Sequence, residues 1–475
     1  MEKLSYCPGL GPGFRQGRAF SRKEMKHQLP SELGLVPSAE VDVSSPFARP
    51  LRLGWIPGSS PGSVLSMALV VQKYGGTSVG TPEKILAVAR RIAQAHREGT
   101  QLVVVVSAMG HTTDELISLA GQVSKAPPRR EMDMLLSTGE RISMALLSMA
   151  LSDLGVKAIS LTGSQSGIIT DTSHRRARIL RILGDRLREG LAQGHVVIVA
   201  GFQGVSEAKE ITTLGRGGSD TTAVALAATL KAERCEIYTD VDGVYSADPR
   251  VVPDARLWKE IRHDHMVELA ARGAGILHLR SVQLAARFRV PLWVLNSAKG
   301  GLLGTQVVEK TQVQAGMEQP QVVGVTCDLD RVLVQVVCAR PTAIAALWDR
   351  AREGQLPLYA PLFSGTEVLF FCEKEMALEW KAILDKLTID GFLQEYRIDD
   401  SYVPLAVVGD RLTQDGSALS EIYDVLAKEH VEARAGFASP LALTFVVPAH
   451  RAKDVVRALH ARFQSRMDPV TEKRT

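Results

Sequence analysis

Cysteine is scarce in this chain: there are five in 475 residues, and no two form a Cys-x-x-Cys pair. The spacing that marks a thiolate zinc site or a dithiol redox motif is therefore absent. Cys235, Cys338 and Cys372 sit in apolar runs, where a buried, reduced thiol is the expected state. No apolar run approaches the ~18 residues that a membrane-spanning helix needs. The N-terminus also lacks the basic start and apolar core of a signal peptide, so a cytoplasmic location is expected. Net charge is small, +4 overall, and residues 1–66 supply +3 of it from eight Lys/Arg against five Asp/Glu. With only +1 left for the remainder, a general nucleic-acid surface is not supported.

What the chain does have is globular composition, 45% hydrophobic and 23% charged. Its length is that of roughly three domains at about 150 residues each. Residues 1–66 are crowded with Pro, Gly and Ser at both ends and show no periodicity. They read as a disordered extension, and an upstream start-site artefact is one reading of them. From Met67 to about Lys310, short β-branched runs alternate with amphipathic stretches. The runs are Leu69–Val71, Leu102–Val106, Ala158–Leu161, Val196–Ala200, Glu236–Thr239 and Pro291–Asn296. The helical stretches are Pro82–His96, Thr113–Ser124, Glu131–Leu154, Arg175–Gln193 and Asp220–Leu230. This alternation predicts an α/β, three-layer fold with a mainly parallel central sheet. Ligands in such folds gather beyond the carboxyl ends of the strands. A polar linker over 311–320 precedes two β-α-β-β-α halves, read as ferredoxin-like modules over 321–400 and 401–465.

Three segments carry chemistry. Lys73-Tyr74-Gly75-Gly76-Thr77-Ser78 leaves a strand and precedes a helix capped by Thr81. Paired glycines with free amides beside a lysine are suited to phosphate. Downstream, Leu214-Gly215-Arg216-Gly217-Gly218-Ser219-Asp220 opens an Ala-rich helix, giving an anion site with an acidic neighbour. Arg216 is the residue to grip a carboxylate bidentately. The third segment, Tyr238-Thr239-Asp240-Val241-Asp242-Gly243-Val244-Tyr245, reads as a hairpin turning at Asp-Gly, with more hydroxyls and acids than a plain hairpin needs.

Together with Leu136-Ser137-Thr138-Gly139-Glu140, these words occur in the order found in the aspartokinases, a branch of the amino acid kinase family. The likeness runs from about Ala68 to Val308. The resemblance implies transfer of phosphate from ATP, with Mg²⁺, to the β-carboxylate of L-aspartate. It also names the C-terminal halves as paired ACT domains, through which such proteins commonly form homo-oligomers. It places Lys73, Tyr74, Gly75, Gly76, Ser107, Ser219, Thr239, Asp240, Tyr245 and Arg250 at the nucleotide. Thr113, Glu140, Arg216, Gly217, Gly218 and Ser219 fall at the amino acid, with Lys73, Arg216 and Asp220 as the catalytic set. Aspartate carries both charges, so Glu140 is expected to take its ammonium and Arg216 a carboxylate. The β-carboxylate is already ionised near neutral pH, so no general base is needed.

Two departures keep alternatives open. Gly275 stands where the family usually has a lysine facing the phosphates, and Arg272 is the nearby cation that could replace it. The segments His430–Pro440 and Pro361–Ser364 lack the hydroxyl and amide groups usual at the family's effector sites, so weak response to lysine and threonine is expected. A catalytically weakened regulatory paralogue therefore remains an alternative to the enzyme. An amino acid kinase for another substrate is a third reading.

Overall fold

The computed structural model describes residues 68–299, 303–309, 321–414 and 416–467. The extension 1–66, the start at Met67 and the linker 311–320 lie outside these residues. Val-rich strands buried on both faces make the centre of an eight-stranded sheet. In spatial order it runs Glu260–Arg262, Gly304–Val308, Leu292–Asn296, Arg234–Thr239, Leu69–Tyr74, Gln101–Val106, Val196–Ala200 and Ala158–Leu161. Every neighbouring pair is parallel except Leu292–Asn296 with Gly304–Val308.

Alternate residues of each strand enter different cores, as the two-residue side-chain period requires. Val70, Leu102, Val104 and Ile198 pack with the helices Pro82–Arg97 and Thr138–Asp153. Val71, Val103, Val105 and Val197 pack with Gly218–Leu230, His263–Ala271 and Leu279–Phe288. The three-layer, mainly parallel architecture is thus the observed one.

Several elements differ from the sequence reading. Glu131–Leu154 is two helices, Arg129–Leu136 and Thr138–Asp153, broken at Ser137. There the Ser137 and Thr138 hydroxyls donate to Met134 O and Leu135 O at 3.0 and 2.6 Å. The expected helix Arg175–Gln193 is a strand, Ile179–Ile182, then a shorter helix, Asp185–Ala192, which starts after Gly184 at φ +72°. That strand belongs to a small sheet with Ile168–Thr170, Gln203–Ser206 and Ile211–Thr213, which the sequence reading did not find. The Asp-Gly hairpin is absent: past the Arg234–Thr239 strand the segment is an irregular loop, with an isolated bridge from Tyr245 to Leu257.

The C-terminal region holds two four-stranded antiparallel sheets. Residues 331–399 supply one, with Ala343–Gly354 and Ala377–Ile389 over it. The other combines Gln321–Cys327 with Tyr402–Asp410, Ala442–Pro448 and Ala435–Ser439. A boundary at residue 400 therefore fails, because Gln321–Cys327 pairs with the later sheet, Gln321 opposite Asp410. The strand expected at Val431–Ala435 is Ala435–Ser439. His430, at φ +53°, ends the preceding helix, and Val431 turns into the core.

The second sheet is tied to the eight-stranded sheet by Asp410. Arg262 donates to both its carboxylate oxygens at 3.0 and 2.9 Å, and His265 Nε2 lies 3.2 Å away. Burial pushes the Asp410 carboxyl up, but bonds from His265 and Arg262 outweigh it and hold it down at about 2. A depressed carboxylate stabilises the fold fully above its unfolded pKa of ~3.9, and that stabilisation fades as pH falls toward the folded value. Asp410→Asn is therefore expected to be less stable than the parent at pH 6 in urea unfolding. The gap between the two should narrow steadily below pH 4.

Candidate active site

Where the Leu69–Tyr74 strand ends, the chain enters a single 3₁₀ turn over Gly76–Ser78. Gly75 N donates to Tyr238 O at 3.3 Å, and Gly76 O accepts from Gly110 N at 3.0 Å. A Cβ on Gly76 would lie 2.9 Å from Ala108 O, so only glycine lets these loops approach. Beneath them is a buried ladder. Gln72 Nε2 donates to Glu236 at 2.8 Å, Tyr238 Oη donates to the same carboxylate at 3.1 Å, and Tyr74 Oη donates to Gln72 at 3.1 Å. The Tyr74 and Tyr238 rings stack at 4.7 Å.

Lys73 points from this corner to the start of the Gly218–Leu230 helix. Its Nζ is 2.5 Å from Asp220 Oδ1, and each side chain is 11% exposed. Beside the pair, the Ser107 and Ser219 hydroxyls are 2.8 Å apart. Gly201 lets Ser219 in, since a Cβ there would be 2.6 Å from Ser219 Cβ. Lys73, Gly75, Gly76, Ser107, Ser219 and Asp220 therefore share one corner, with Tyr74 packed below it.

Glu140 faces the neighbouring loop from the first turn of its helix. Gly139 approaches Ala108 so closely that a Cβ would meet Ala108 Cβ at 2.8 Å. One Glu140 oxygen accepts from Ala108 N at 3.3 Å, while Oε2 has no partner among the described residues. The residue is 4% exposed, and burial pushes its carboxyl up to about 7 against two backbone hydrogen bonds. A buried acceptor with one oxygen unused is suited to a cationic ligand group. Thr113 is the second residue of the Thr112–Val123 helix, and among the described residues no hydrogen bond joins it to Glu140.

Gly217, at φ +63°, and Gly218 turn the chain under His278 and Phe202, and a side chain on either would overlap them. Arg216 does not join the Lys73 corner. Its guanidinium pairs with Glu375 of the 331–399 unit, Nε lying 3.3 Å from Oε2, and the side chain is 66% exposed. Arg280 braces this turn from below, donating to Leu214 O at 2.5 Å and Ala177 O at 3.0 Å.

In the third segment, Thr239 Oγ1 donates to Asp240 at 3.0 Å. Asp242 accepts from Asn296 and Lys299, each at 2.7 Å, and lies 3.4 Å from Tyr245 Oη. Arg250 is exposed and paired with Asp248 at 2.9 Å. Gly275 is exposed with open space around it. Arg272 does not replace the missing lysine: its guanidinium is bound to Glu268 at 3.2 Å and lies over the Phe437 ring.

Asp133, Glu236 and Lys299 went unmarked in the sequence. Asp133 is fully buried and accepts from Arg175 N at 3.0 Å, Thr213 Oγ1 at 2.5 Å and His174 Nδ1 at 2.8 Å. The available signal was an acid between Met132 and Met134 on the apolar side of an amphipathic stretch.

Residues 68–296 match the model of the amino acid kinase family. Curated relatives include the aspartokinase of Geobacillus stearothermophilus, 43% identical over 84% of this chain and 97% of its own. The aspartokinase of Corynebacterium glutamicum is 41% identical over 84% of this chain and 96% of its own. Among solved structures, E. coli aspartokinase III with aspartate and ADP superposes at TM-score 0.73 and 24% identity, over 83% of this chain and 100% of that one.

The state of Glu140 can be measured directly. In the unliganded protein, a carboxyl ¹³C titration should show one glutamate with a midpoint near pH 7. That signal should vanish in Glu140→Gln.

Proposed function

The chain belongs to the aspartokinases, and from that membership we infer that it transfers the γ-phosphoryl group of ATP to the β-carboxylate of L-aspartate. The products are 4-phospho-L-aspartate and ADP, the opening step toward lysine, threonine and methionine. The observation that carries this reading is the desolvated Lys73–Asp220 pair beside the Gly75–Gly76 turn. A carboxylate oxygen forms the new bond to γ-phosphorus as the bond from phosphorus to the bridging oxygen breaks. The electron pair leaves on ADP, and no proton moves. Catalysis is then alignment of two anions plus charge stabilisation, which suits Lys, backbone amides and a helix N-terminus.

Lys73 meets the growing negative charge, and Asp220 fixes its ammonium in place. Glu140 receives the α-ammonium of aspartate through its unused oxygen. That incoming charge favours the ionised carboxylate, reversing the effect of burial. Arg216 takes a substrate carboxylate after leaving Glu375. Thr239, Asp240, Tyr245 and Arg250 belong to the nucleotide loop, and Thr113 to the rim of the amino acid pocket. Among the described residues no His/Cys/Asp/Glu group could by itself hold a metal. Asp240, the exposed carboxylate of the loop, is the residue that would hold a Mg²⁺ carried by the nucleotide phosphates. When bound, Mg²⁺ would neutralise phosphate charge. Homo-oligomerisation through the C-terminal sheets and a cytoplasmic location complete the proposal. The weakened-paralogue reading rested on Gly275 and on the altered effector segments 361–364 and 430–440, and Lys73, Asp220 and Glu140 favour the enzyme.

A hydroxamate assay with ATP and aspartate tests the activity, and no product would refute it. Lys73→Ala should lower kcat by about 10²–10³-fold with a smaller effect on aspartate KM. Arg216→Ala should raise aspartate KM by about 10- to 100-fold, the size of a lost charge-assisted bond. The Arg216–Glu375 pair is exposed, so breaking it costs at most about 1 kcal/mol. Glu375→Gln should accordingly lower aspartate KM by no more than about fivefold. An increase would show that Glu375 helps the substrate bind.

A further inference from the structure

Under the nucleotide loop lies a polar contact that the reaction chemistry does not use. Ser246 follows Tyr245 and is wholly buried. Its backbone N donates to Arg256 O at 2.9 Å, and its carbonyl accepts from Val325 N at 2.8 Å. The side-chain Oγ accepts from Arg256 N at 2.9 Å and lies 2.8 Å from His460 Nε2. A hydroxyl that has accepted one bond still has its own proton to give. It also has a second lone pair, so it can bond a neutral His460 ring through Nε2 in either tautomer. Burial lowers the pKa of His460, which favours the same neutral ring.

His460 sits in the middle of the Ala452–Met467 helix, 2% exposed, on the unit that also contains the Gln321–Cys327 strand. The same helix reaches the loop's far limb at two further points. Met467 O accepts from Arg256 at 2.6 Å, and Arg457 donates to Val251 O at 3.2 Å. Those two contacts use backbone carbonyls, which any sequence offers. The His460–Ser246 bond depends on two side chains and meets the loop one residue after Tyr245. A buried imidazole is costly to keep where a leucine would fill the space. The loop hydroxyl gives it a use.

We propose that His460 is a positioning residue for the nucleotide. Through Ser246 it sets the height of the Thr239–Arg250 loop, so the C-terminal unit bears on ATP binding rather than on aspartate binding. The inference rests on reading that loop as the nucleotide site, and the experiment separates the two. In the full-length protein, steady-state kinetics with both substrates varied would compare Ser246→Ala, His460→Leu, their double variant, His460→Gln and Tyr245→Ala. Ser246→Ala and His460→Leu should each raise ATP KM by about 5- to 20-fold, the size of a lost buried hydrogen bond. Aspartate KM should stay within twofold. The double variant should be no worse than the poorer single one, and His460→Gln, whose amide oxygen can accept the hydroxyl, should recover most of the loss. A purely structural histidine would instead give equal changes for both substrates, or lowered melting temperature with unchanged KM, and no rescue by Gln. If Tyr245→Ala raises ATP KM while Ser246→Ala does not, the positioning role is wrong and the loop reading stands. If Tyr245→Ala leaves ATP KM unchanged, the loop reading fails and takes this inference with it. Ser246→Ala removes a single oxygen, so an unchanged ATP KM in it overturns the role even if His460→Leu does not fold, and His460→Gln separates loss of the His460 bond from loss of the Arg256 one.

Discussion

Two opposite charges, nine-tenths out of water and 2.5 Å apart, govern the layout of the catalytic half. Withdrawing a lysine and an aspartate from solvent costs several kcal/mol per ion, and their attraction offsets this only when the geometry is held. Lys73 therefore has to come from a strand buried between two neighbours, paired with Val105 on one side and Ile237 on the other. Asp220 has to come from a helix start fixed against Gly201 and Phe202. The ladder of Gln72, Glu236, Tyr74 and Tyr238 stiffens the strand ends from below. Close-packed glycines at 76, 139, 201 and 217 let the loops close around the pair.

Arg216 lives under the opposite rule. Its bond to Glu375 is exposed to water, where an ion pair is worth little, so breaking it costs little. The site thus joins a rigid, desolvated centre to a solvated arm that is free to change partners. Next to that arm, Arg176 holds Glu373 at 2.7 Å, so two arginines of the catalytic half meet two acids of the 331–399 unit at adjoining positions.

How much of this was legible depended on the range of the interactions. The central strands were readable because Val-rich runs buried on both faces leave an unbroken apolar signal. The motif loops were readable because their glycines and charges are local in sequence. The small sheet was not, since its strands are three or four residues long and include Thr170, Gln203, Ser206 and Thr213, which carry no apolar run. Neither was the partner of Arg216, which lies 159 residues away, nor that of Ser246, 214 residues away. Those pairings are fixed by how the sheets stack, which no local spacing encodes. Arg272 shows the converse error: nearness in sequence suggested a substitute for the absent lysine, while the side chain had an ordinary place against Glu268 and Phe437.

The pairing of Gln321–Cys327 with Tyr402–Asp410 changes what the C-terminal region is. Cys327 lies opposite Leu405, and Asp328 N donates to Pro404 O at 3.1 Å, so the chain leaves one sheet and returns to it almost at the same point. Everything between, with its own core around Trp380 and Phe370, is a cassette set into the tip of a hairpin. Its entry and exit are neighbours. Evolution, or an engineer, can exchange, lengthen or delete such a cassette while the host sheet keeps every strand and its hold on the catalytic half.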